Sequence, residues 1–172
     1  MDSEGAILVL RLLHIVAGVF WVGAAITVTF FTMPVVRATG AVGGEFWGQF
    51  MARSHFSQVM TAAAVVTVGS GLLLYWDFYS GIAWQLADPG PQTIFGLGGL
   101  IAIVVALVAN LAFPRIGRRL GQIAELIQMQ GAPSPAQAAE RTRLARRMQV
   151  LSTMTAVLLV VTTALMAVGR YA

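Results

Sequence analysis

The residues in this chain best suited to chemistry lie in its first apolar run, where Arg11, His14, Gly18 and Trp21 fall on one helical face. Their separations of three and four residues are those of a single helix side. The stripe extends through Ile7, Ala25, Val28 and Thr32, while Leu8, Val9, Val16, Val19, Phe20, Ile26 and Phe30 cover the other faces. Ionisable groups inside a bilayer are costly and face a protein interior, a cavity or a ligand. A neutral imidazole ligates metals and haem iron, and a guanidinium one turn away can grip a propionate through two parallel hydrogen bonds. Gly18 leaves room one turn deeper for a flat macrocycle, whose edge Trp21 could meet. The same residues admit a plainer arrangement, with His14 bonded to a neighbouring helix and Arg11 reaching the interface.

Other candidate ligands are few. His55 opens the second apolar run near Arg53, sharing a face with Gln58 and Ala62. At about 1.5 Å of rise per residue, it should lie too far in depth from His14 to clamp the same iron. At the depth of His14 the second run offers Gly69, Ser70 and Gly71, and the last run offers Met166. A His14/Met166 pair and a single-His site both remain open. Met33, Met51, Met60, Met148, Met154 and Met166 keep copper as the alternative, since thioether and imidazole suit Cu(I). They form no Met-x-x-x-Met cluster and equally suit gap-filling in a core. Asn110, Ser152, Thr155 and Thr162 are expected to point inward as interhelical glue.

Four elements must position these groups. The 172 residues are 58% apolar and 10% charged, the balance of an integral membrane protein rather than a soluble domain. Residues 6–33, 55–76, 94–113 and 148–169 are each long and apolar enough to cross a bilayer. Pro34 and Pro114 stand where the first and third runs end. The Met-Asp-Ser-Glu start lacks the basic region of a signal peptide, so the first run is expected to be a span. The fold expected is all-α: one four-helix transmembrane bundle over residues 1–172.

Charge sets the expected direction. All eleven basic residues other than histidine are arginine, which removes Schiff-base chemistry and lysine proton relays. Arg115, Arg118, Arg119, Arg141, Arg143, Arg146 and Arg147 lie between runs three and four, and Arg37 and Arg53 between runs one and two. Asp2, Glu4, Asp77 and Asp88 lie on the other side, with Arg170 the one dissenting charge. The positive-inside rule then places both arginine-bearing connections in the cytoplasm and both termini outside. The long connection should be a helical hairpin. Ile116, Leu120, Ile123 and Ile127 recur at helical spacing, Gly131-Ala132-Pro133-Ser134-Pro135 breaks the pattern, and Ser134 with Pro135 can start the last helix. Its arginines suit topology and anionic lipid headgroups, and no nucleic-acid partner is expected. Residues 77–93 should form an interfacial loop anchored by Trp76, Tyr79 and Trp84.

The absence of cysteine excludes disulfides, thiolate metal sites, iron–sulfur clusters and thiol catalysis. No phosphate loop, Ser-His-Asp arrangement or paired carboxylates is present, and every acidic residue lies in a tail or loop. Proton transport through an intramembrane carboxylate is therefore not expected.

Leu12-Leu13-His14, six residues, then Trp21-Val22-Gly23 resembles the first helix of a group of small bacterial membrane proteins. The group includes the copper-resistance protein D family, related four-helix proteins and the HemJ-type protoporphyrinogen oxidases. Phe50-Met51-Ala52-Arg53 through Met60-Thr61 to Gly69-Ser70-Gly71-Leu72 is similar to its second helix, and Arg146-Arg147 with the closing Gly169-Arg170-Tyr171 fits the same plan. The resemblance implies a four-helix membrane bundle with His14 as the ligand of haem b. The chain departs from the HemJ type in having no lysine and no matching histidine in its third run, where Asn110-Leu111-Ala112-Phe113-Pro114 stands. Protoporphyrinogen oxidation is accordingly not expected. The expectation is a haem b protein of the bacterial cytoplasmic (inner) membrane, in electron transfer or as an accessory redox subunit. A copper-handling protein and a cofactor-free assembly subunit are the alternatives. The lipid bilayer is the first partner, with another membrane redox subunit or a second copy beside it.

Overall fold

The computed structural model of the protein describes residues 3–80 and 90–171, and within them it contains helices and turns but no strand. Helix α1 spans Ser3–Ile26 and continues through a π-helical segment, Thr27–Thr32, into α2, Met33–Ala38. Helix α3 covers Gly40–Arg53, α4 Phe56–Ser80, α5 Pro91–Gln130 and α6 Pro135–Val168, with a closing 3₁₀ turn at Gly169–Tyr171. Four of these stretches are long and apolar enough to cross a membrane, as in a multi-pass membrane protein. Trp84 and Pro89 of the expected interfacial loop, and the acidic Asp2 and Asp88, lie outside the described residues.

Pro34 does not end the first helix. The chain widens into the π segment just upstream, where Thr32 Oγ1 donates to the carbonyl of Thr27. Such a wider turn accommodates a proline that brings no N–H and whose ring crowds the preceding carbonyls. The helix stops only at Thr39 and Gly40, whose positive φ of 58° turns the chain into α3. Gly43 lies so close to Thr39 and to the Val36 carbonyl that a Cβ there would overlap both. The α2–α3 corner is thereby a tight turn. Sequence periodicity did not announce α3, although Phe46 and Phe50 stack one turn apart with Trp47 beside them.

Helix α5 likewise runs straight through Pro114. Membrane helices tolerate interior proline when nearby side chains serve freed backbone groups. Here the carbonyl that Pro114 deprives of its N–H is that of Asn110; Arg115 Nη1 donates to the next carbonyl, Leu111, at 2.7 Å, while Asn110 Nδ2 donates to Ala106, a turn earlier, at 2.9 Å. The α5–α6 turn follows the sequence expectation: Gly131 adopts φ 81°, and Ser134 and Gln137 cap each other's backbone N–H groups in a capping box.

Neighbouring helices alternate in direction. His14 and Gly18 of α1 meet Gly71 and Thr67 of α4; Thr61 of α4 bonds Asn110 of α5 at 2.8 Å; Gly98 of α5 meets Met166 of α6. The start of α1 and the end of α6 therefore share one end of the bundle, and the α2–α3 and α5–α6 turns share the other. Trp21, Ala63, Ala64, Val105 and Leu159, one or two from each long helix, form the core. Leu8, Leu12, Val19, Leu72, Leu100, Leu107 and Val157 turn outward, as lipid-facing positions do.

Candidate functional site at the α1–α4 seam

His14 reaches across to α4. Its Nδ1 stands 2.8 Å from the carbonyl oxygen of Thr67. A carbonyl only accepts, so Nδ1 is the donor, and in the neutral ring this leaves Nε2 unprotonated, with its lone pair free. The same Thr67 carbonyl accepts from Ser70 Oγ at 3.2 Å, and Thr67 Oγ1 donates to Ala63 at 2.7 Å. The imidazole lies over Gly71, where an added Cβ would stand 2.8 Å from Cε1 and 3.0 Å from Nδ1. Gly71 is thus a socket for the ring. Nε2 makes no hydrogen bond among the described residues, and the half-buried ring is not sealed from its surroundings.

The remaining members of the expected constellation have other surroundings. Gly18 faces Thr67, whose Cγ2 would lie 3.4 Å from an added Cβ, so its missing side chain serves close helix packing. Trp21 is 3% exposed within the core cluster. Arg11 is exposed and makes no hydrogen bond or ion pair among the described residues. Met166 stands at about the depth of His14 by the antiparallel register, but its methyl group packs on Gly98 of α5. His55 is exposed at the α3–α4 bend, bonded to Gln58 Oε1 at 2.8 Å. Sixteen residues of helical rise, about 24 Å, separate its level from that of Gly71. His14 and His55 do not share a site.

Among the described residues no group of three or more acidic or histidine side chains is placed to hold a metal ion. The chemistry available at the seam is that of one oriented imidazole nitrogen. The sequence pointed to His14 and to the level of Gly71 but not to Thr67, whose contribution is a backbone carbonyl and carries no side-chain signature. No family model matches the chain, and no match is found among curated proteins or solved structures.

Proposed function

We propose that the protein is a haem b protein of a bacterial cytoplasmic membrane in which His14 Nε2 would hold the iron, acting in electron transfer or as an accessory subunit of a redox complex. The observation that carries this reading is the Nδ1 bond to the Thr67 carbonyl. Ligating histidines characteristically donate their other ring N–H to a backbone carbonyl or carboxylate, which fixes tautomer and ring plane and raises the basicity of the free nitrogen. The residues present fit one ligand to the iron, His14 Nε2. They do not fit a macrocycle lying on Gly18 and Trp21, because those positions are filled by helix packing.

Bound haem would supply one-electron chemistry. The chain's own part is to hold the imidazole with Nε2 bare, to brace it on Gly71, and to offer the Arg11 guanidinium to a carboxylate one turn away. The arginine asymmetry supports an arrangement with the α2–α3 and α5–α6 turns in the cytoplasm and both termini outside. The test is an absorption spectrum after purification in mild detergent. A Soret band that His14→Ala abolishes and His55→Ala leaves intact is expected. Absence of the band, or its persistence in His14→Ala, overturns the reading. Stoichiometric copper without porphyrin would favour copper handling instead, through sites that keep His14 and His55 apart.

A second reading has its own observation. Gly71 fits the imidazole and Gly18 fits Thr67, so His14 can serve as a polar lock between α1 and α4 in a cofactor-free assembly subunit. A colourless, metal-free protein whose His14→Ala variant loses only stability would establish that role.

A further inference from the structure

A groove of about 340 Å³ runs along the α5–α6 seam, lined by Leu107, Val108, Leu111, Ala112, Arg115, Ile116 and Arg147. Its composition changes along its length. Leu107 and Leu111, each about half exposed, lie on the apolar stretch of α5, whereas Arg115 and Arg147 close the end nearer the α5–α6 turn. The two arginines stand at one level because α5 and α6 are antiparallel, in the register that also joins Arg119 to Glu140.

Like charges over one groove repel unless an anion neutralises them, and no acidic side chain lines this one. The nearby Glu140 carboxylate is already bidentate with Arg119, at 2.7 and 3.0 Å. Arg115 is held in place by one donor, from Nη1 to the Leu111 carbonyl at 2.7 Å, which leaves four N–H groups of its guanidinium without a partner among the described residues. Arg147 makes no hydrogen bond or ion pair among the described residues. Guanidinium forks match the oxygens of a phosphate.

We propose that this groove binds one anionic phospholipid, its phosphate between Arg115 and Arg147 and an acyl chain along Leu107 and Leu111. A polar end at the interface and an apolar end within the leaflet match the two halves of a phospholipid in their natural order. The site is separate from His14 and does not depend on a cofactor there.

The test uses the full-length protein in nanodiscs and in native mass spectrometry, with phosphatidylglycerol and phosphatidylcholine of identical chains as probes. The wild type should retain one phosphatidylglycerol at least fivefold more than phosphatidylcholine. Arg115→Gln with Arg147→Gln should erase that preference, while Arg141→Gln with Arg143→Gln, which removes equal charge elsewhere on the hairpin, should keep it. Leu111→Trp, which fills the apolar end and leaves both arginines, should also lower retention at least fivefold. Equal losses in the two arginine pairs, equal retention of both lipids, or undiminished binding in Leu111→Trp would overturn the proposal. So would competition by soluble glycerol phosphate at concentrations matching the lipid, which would show a headgroup site without a chain. Circular dichroism of each variant at wild-type helicity keeps these outcomes separate from misfolding.

Discussion

The α1–α4 and α5–α6 seams use the same device, a glycine facing a side chain of the opposite helix, and differ in what that glycine receives. Gly71 takes a planar imidazole fixed by its bond to the Thr67 carbonyl. Gly98 takes the end of Met166, whose thioether chain can swing away. The seams also differ in how their helices are joined. A short turn with its own chemistry, Gly131 and the Ser134–Gln137 capping box, ties α5 to α6. Between α1 and α4 the chain detours through α2 and α3, so no local turn sets their register. A polar side-chain lock does for one pair what turn chemistry does for the other.

The sharpest way to break this comparison is one substitution made in both seams. Gly71→Ala places a methyl group against a ring that cannot retreat without losing its bond, an overpacking cost of about 1–3 kcal/mol against which stands the same propensity gain of about 1 kcal/mol that any helical glycine offers. Gly98→Ala meets a flexible methyl at 3.0 Å, and the propensity gain of about 1 kcal/mol over glycine in a helix offsets what Met166 must yield. Thermal denaturation in detergent should therefore show a clear drop for the first and little change for the second. Equal effects would mean that the imidazole is not fixed.

Next in size is Ser134→Ala. Losing an N-cap of this kind costs about 1 kcal/mol, and hydrogen exchange should rise in the first turns of α6 while the α1–α4 seam keeps its protection. Exchange spreading to α1 would show that the α5–α6 turn also holds the other seam.

The smallest effect is expected at Thr162. Its hydroxyl is buried and has no hydrogen-bond partner among the described residues, whereas Thr67 and Ser70 of α4 donate to their own helix. Thr162→Val removes an unsatisfied group and should stabilise by no more than about 1 kcal/mol, while Thr67→Val should not. A loss of stability in Thr162→Val, measured by the same denaturation, would place an unseen polar partner in the α6 face of the core.

The four apolar runs, the inward face of α1 from His14 to Ala25 and the capped start of α6 could be read in the residue order alone, because each rests on local chemistry: hydropathy, helical period, and a serine before a proline. Arg11 shows where that reading stops. It shares the period of His14 and Trp21, yet it stands exposed although α4 runs past its level, because spacing fixes the side of a helix on which a residue lies and not how far a long charged side chain reaches from it. Pro34 and Pro114 show the same limit from the other side. Proline is a helix breaker by its own nature, yet the first helix passes Pro34 by way of a π turn, and α5 passes Pro114 with the Asn110 carbonyl deprived of its N–H. Contact between distant positions was decided only in three dimensions. The Thr67 carbonyl facing His14, Gly98 beneath Met166, and Arg115 beside Arg147 depend on antiparallel register. Register is a property of packed pairs, not of either strand of sequence taken singly.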